Sequence, residues 1–119
     1  MNYQIREIGN SKYIELLSVT EPLRSENDAL DLISLCWEHE ISLIMLHHPV
    51  LSQDFFNLKT RTAGNIIQKF INYNVKVAAI IPSEFFPDGR FKEFALEVNE
   101  GNHFRMYDSN EEGEQWLVR

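Results

Sequence analysis

The stretch FFNLKTRTAGNIIQKFINYNVKVAAII, residues 55–81, carries two hydrophobic periodicities in succession, and their order decides the fold. Ala63, Ile66, Ile67, Phe70 and Ile71 recur at the spacing of one helix face. Asn72-Tyr73-Asn74 closes that helix, and Val75 to Ile81 then runs apolar on nearly every residue until Pro82 stops it. A run this short, apolar on successive positions, predicts a strand buried on both faces. A helix delivered straight into such a strand is the repeating unit of an α/β fold.

Working outward, the same alternation recurs. Ile41 to Leu46 is a second doubly apolar strand, and before it Ala29, Leu32, Ile33, Cys36 and Trp37 fall on one face of a helix. Ser25 with Asp28 three residues on marks that helix's start, and Gly9-Asn10-Ser11 between Tyr3–Ile8 and Tyr13–Leu17 predicts an opening hairpin. Phe91, Phe94, Ala95 and Val98 form a shorter amphipathic helix with Gly101 as its C-cap. A strand over His103–Tyr107 follows, then a helix opened by Ser109 and Glu112 that buries Trp116 and Leu117. The predicted order is β-β-α-β-α-β-α-β-α: one α/β domain over residues 1–119, a mixed sheet covered by helices.

With 119 residues and 44% apolar content the chain can bury one core. Its net charge of -7, from 18 acidic against 11 basic residues, leaves no basic stripe for nucleic acid. No apolar run approaches the roughly 20 residues of a membrane span. The opening MNYQIRE lacks a signal-peptide layout, and the single Cys36 suits a reducing compartment, so a cytoplasmic location is expected. Cys36 belongs to a buried helix face, which gives it a structural role.

The wording DFFNLKTRTAGNIIQKFINY with the tail NHFRMYDSNEEGEQWL resembles a small bacterial family known as a domain of unknown function, the one numbered four-one-eight-zero. The likeness spans nearly the whole chain through Phe55, Phe56, Leu58, Thr60, Ala63, Gly64, Lys69, Phe70 and Trp116, and implies no established activity. In element order the chain also resembles the STAS fold of anti-sigma factor antagonists, which implies regulation by docking a partner. Those proteins carry an Asp-Ser-Ser-Gly-type motif with a phosphorylated serine. Here the matching place reads Lys59-Thr60-Arg61-Thr62-Ala63-Gly64, keeping the glycine and hydroxyls but neither the acid nor the serine pair.

Catalytic groups are not expected. No G-x-S-x-G, P-loop, G-x-G-x-x-G or HExxH is present. His47-His48 stands at a strand's C-terminal end, but neighbouring strand residues point to opposite faces and do not ordinarily share one ion. A solvated strand end is expected there, with no metal and no cofactor. Thr60 or Thr62 is expected as a helix N-cap, and Ala63-Gly64 as small residues that let the helix lie near the sheet. Free amides between Lys59 and Arg61 also suit an anion, or a phosphate carried on a threonine.

Phe55-Phe56 and Phe85-Phe86 gather at one end of the sheet, and adjacent loop residues are seldom both buried. The resulting expectation is a non-enzymatic regulatory or protein-interaction domain. It docks a protein partner, or a second copy of itself, near Phe55, Phe56, Lys59, Thr60, Arg61, Thr62 and Gly64. The alternative is a small-molecule or anion sensor at the C-terminal strand ends, with Lys59, Arg61, His47 and Ser83 around a pocket.

Overall fold

The computed structural model describes residues 2–119. Gly9, at φ +61°, takes without steric cost the left-handed turn that joins β1 (Asn2–Ile8) to β2 (Ser11–Ser18), and the two strands pair antiparallel. β3 (Leu43–His47), β4 (Lys76–Ile80) and β5 (Phe104–Tyr107) then add in parallel, giving the sheet order β1-β2-β3-β4-β5. The fold is α/β with a five-stranded mixed sheet, and both apolar runs lie in its interior.

Parallel strands laid down in sequential order need crossovers of one hand, which places successive connecting helices on the same face. Helices α1 (Glu26–His39), α3 (Thr62–Asn72) and α4 (Gly89–Val98) share a core with Ile14, Leu16, Ile44, Leu46, Val77, Ala79, Phe104 and Met106. The alternate residues Tyr13, Met45, Ala78 and Ile80 form a second core with α5 (Asn110–Leu117). Between β3 and α3 lies one further turn of helix, α2 (Gln53–Phe56).

Helix α5 is clamped from both ends. Ser109 Oγ accepts from the Glu112 amide at 3.3 Å. Lys76 Nζ donates to the carbonyls of Trp116 (2.8 Å) and Leu117 (3.2 Å), groups a helix end leaves without partners. The same ammonium lies 4.6 Å from the Trp116 ring centroid, with the Arg105 guanidinium at 5.1 Å. Burial, then the charges of Arg119 and Arg105, hold the Lys76 ammonium below the usual lysine range.

The hairpin, both interior strands and the capping serines stand where the sequence predicts, Ser25 accepting from the Asp28 amide at 3.4 Å. Three details differ. Trp37, expected on the buried stripe, is 60% exposed, and Ile71 is exposed too. Each stands eight residues beyond the first residue of its stripe, which places it about 80° round the helix, on the flank. The Trp37 ring meets Tyr73 edge-on across the surface at 5.5 Å. Gly101 does not cap α4. Asn99 does, and its side chain also accepts from the Met106 amide (2.8 Å) and donates to the Met106 carbonyl (2.9 Å).

The small residues also divide differently. Ala63 is buried, but a Cβ built on Gly64 meets nothing within 4 Å, so Gly64 is not the residue that lets α3 approach the sheet. Gly113 plays that part for α5, where a Cβ would lie 2.6 Å from Ile80 Cδ1 and 3.4 Å from Ala78 Cβ. Gly64→Ala is therefore expected to stabilise the fold by about 0.5–1 kcal/mol, through lost freedom of the unfolded chain. Gly113→Val is expected to destabilise it by about 1–3 kcal/mol through overpacking. Urea unfolding of both variants checks the pair, and shifts of the same sign contradict the assignment.

Candidate functional site

The site is built from the loops that leave adjacent strands. After β3, Pro49 favours a 3₁₀ turn over His48–Val50, and the chain then bridges in parallel to the segment before α1. Leu23 N donates to the Val50 carbonyl (2.7 Å) and Ser52 N to the Leu23 carbonyl (3.2 Å). Helix α2 follows, then a second 3₁₀ turn over Leu58–Thr60. After β4, Pro82 opens a third such turn over Ser83–Phe85, held by Ser83 N donating to Asp108 Oδ1 at 2.9 Å. Asp88 then starts α4 by accepting from the Phe91 amide at 2.9 Å.

Between these loops runs a solvent-open groove of about 610 Å³. One wall carries Pro49, Leu51, Phe56 and Leu58, the other Phe85 and Pro87. The His48 imidazole stacks on Phe85 with centroids 3.9 Å apart and planes 24° from parallel, and both rings line the groove. Lys59 and Arg90 also line it, and neither side chain has an ion-pair or hydrogen-bond partner among the described residues. Asp88, the one carboxylate in the lining, is engaged at the start of α4.

Of the residues expected at a docking surface, only Phe56 and Lys59 reach this groove. Phe55 is corrected outright: at 0% exposure it belongs to the core, tilted against Phe91 and Phe104 at 6.3 Å each. A benzyl side chain on a single turn of helix beneath two loops gains more from burial than from water. Thr60 is exposed, but its hydroxyl donates to the carbonyl of Asp54 or Asn57, each 2.7 Å away. The same oxygen accepts from the Thr62 amide at 3.2 Å.

Thr60 thus supplies the cap from outside the helix, while the N-cap position itself falls on Arg61, in a left-handed conformation at φ +63°. Thr62 is buried at the start of α3, at 9% exposure. Gly64 is exposed on the far side of that turn from the core. Of the alternative pocket residues Lys59, Arg61, His47 and Ser83, only Lys59 lines the groove.

His47 is not a solvated strand end. Its Nε2 donates to Glu15 Oε2 at 2.8 Å, and Gln4 Nε2 donates to Glu15 Oε1 at 3.0 Å. Glu15 is only 6% exposed. Burial pushes its carboxyl up, but the hydrogen bonds from His47 and Gln4, aided by the charge of Arg6, outweigh that and hold it below the usual range. Beside it, burial and the bond donated to Glu114 (2.7 Å) push the Tyr13 phenol up to about 12. The sequence signal was a glutamate at an inward position of an otherwise apolar strand, Tyr13-Ile14-Glu15-Leu16. Cys36 is buried, which pushes its thiol up to about 11. Among the described residues no three His, Cys, Asp or Glu side chains converge as a metal set.

Comparison with known proteins places the chain. A family described as "Domain of unknown function (DUF4180)" matches residues 8–117, and the chain belongs to that family. No curated protein and no solved structure matches it significantly.

Two outcomes follow from these placements. Phe55→Ala is expected to cost about 3–5 kcal/mol of stability, whereas Phe85→Ala at a half-exposed position costs far less; equal losses in urea unfolding contradict the assignment. Glu15, with its folded-state value below the unfolded one, binds fewer protons folded than unfolded. Its contribution is complete above its ordinary value of 4.5 and is lost as pH falls through the folded value. Glu15→Gln is therefore expected to lower the melting temperature most at neutral pH and progressively less in acid. A deficit independent of pH counts against the pairing.

Proposed function

We propose that this chain is a non-enzymatic regulatory domain that takes a small ligand into the groove between the loops after β3 and β4, its occupancy being the signal. The observation that carries this reading is the groove's form. It is concave, about 610 Å³, and apolar over most of its surface, with His48, Gln53, Asn57, Lys59, Asp88 and Arg90 also in the lining. That volume lies within the roughly 300–1,000 Å³ typical of small-molecule sites. Its place at the carboxyl ends of parallel strands is where open α/β sheets ordinarily hold ligands.

The non-enzymatic half of the reading is supported by the lining. It holds no serine, threonine, cysteine or tyrosine to act as a nucleophile, and its one histidine is stacked against Phe85. Protein docking, which the sequence alone favours, rested on Phe55, Phe56 and a free helix start around Thr60–Gly64. With Phe55 in the core and the Thr60 hydroxyl engaged, that reading keeps the half-buried Phe56 and the exposed Phe85 as apolar anchors, and both belong to the concave groove. A concave ligand site fits the remaining residues better.

Leu58→Trp places an indole in the groove from a half-buried position at the edge of the core, and its own melting temperature serves as the baseline for the comparison. A small-molecule extract of the native host is expected to raise the melting temperature of the wild-type protein and not of Leu58→Trp. An extract without effect, together with Phe85-dependent retention of a protein from the same lysate, overturns the ligand reading in favour of docking.

A further inference from the structure

We infer, resting on the groove reading above, that the ligand is a singly charged organic anion with a flat apolar body, its carboxylate held between Lys59 and Arg90. The body is argued from the walls. The stacked His48–Phe85 pair and Phe56 put three aromatic rings in the lining, and Leu51 and Leu58 add apolar surface in the same groove. Planar aromatic ligands gain from offset or edge-to-face contact with such rings beyond the area they bury.

The charge is argued from what the lining leaves unpaired. Lys59 stands in the loop after β3 and Arg90 at the start of α4, and both line the groove. Neither has a partner among the described residues, whereas the Asp88 carboxylate is engaged by the Phe91 amide. Two cations against one carboxylate leave a local excess of a single positive charge. A monocarboxylate neutralises that excess, while a doubly charged phosphate ester overfills it.

Arginine adds a planar fork that matches a carboxylate through two parallel hydrogen bonds. The chain as a whole carries a net charge of -7, so its long-range field repels anions. Discrimination in favour of an anion must therefore come from this local pair.

Four probes with one ring system separate the parts of the inference: naphthoate, naphthyl methanol, naphthylmethylammonium and naphthyl phosphate. In calorimetric titrations naphthoate is expected to bind several-fold more tightly than the alcohol, and the ammonium compound weakest. Lys59→Gln and Arg90→Gln are each expected to weaken naphthoate by about tenfold, the order for a lost charge-assisted hydrogen bond, and to leave the alcohol unchanged. Both residues are exposed, so the variants are expected to melt like the wild type.

If the alcohol or the ammonium compound binds as tightly as naphthoate, or the double variant keeps naphthoate affinity, the anion inference fails and the groove reading stands. Preference for the phosphate overturns the assignment of a single charge. If no probe binds, or all bind Leu58→Trp as they bind the wild type, the groove reading fails with it.

Discussion

The C-terminal end of the sheet depends on one buried aromatic joint, Phe55 against Phe91. Phe55 comes from the loop after β3 and Phe91 from the first turns of α4, and both are fully buried. Around them Phe56 lies 5.1 Å from Phe91, Phe86 lies 5.1 Å from Phe91 on the other side, and Phe104 closes the base from β5. Each such pair contributes about 0.5–1.5 kcal/mol beyond the area it buries. Phe55 and Phe91 thus tie two loops together from beneath while the surface between them stays open. A groove set over such a floor is formed before any ligand arrives, which lowers the ordering cost of binding.

The same economy of layers explains the rest of the surface. Sequential parallel strands send α1, α3 and α4 to one face, leaving the other to α5 alone. An eight-residue helix cannot cover five strands, and β1 with part of β2 answers with polar side chains on that face. There Glu15 is tied by His47 and Gln4, and Tyr13 by Glu114. A buried carboxylate in this position is tolerated because both its oxygens are hydrogen-bonded; one left bare would be severely penalised. This network makes the uncovered half of the sheet specific in register without an apolar patch.

Much of this was legible in the residues. Nearly unbroken apolar runs at Ile41–Leu46 and Val75–Ile81 announced interior strands, and Ser25, Ser109 and Gly9-Asn10 announced the starts and turns between elements. The expectation that one phenylalanine of each pair is exposed holds for Phe85 beside the half-buried Phe86, but fails for Phe55 and Phe56, the first fully buried and the second half-buried against the core. Phe55 turns inward because α2 exists, and a single turn of helix has no periodicity of its own to read. The Glu15–His47 bond joins residues on neighbouring strands, 32 positions apart, so no local pattern announces it. The groove is invisible for a related reason: its two walls come from loops separated by α3 and β4, and only the sheet register brings them together.

The most direct test of the account is a crystal structure of the untagged protein purified gently from its native host. The account requires the space between Leu58 and the His48–Phe85 stack to be open and to hold density for a compact non-protein molecule, its charged end toward Lys59 and Arg90. A groove closed by its own side chains, with Phe85 folded down onto Leu58, or one covered by a second polypeptide, would contradict it.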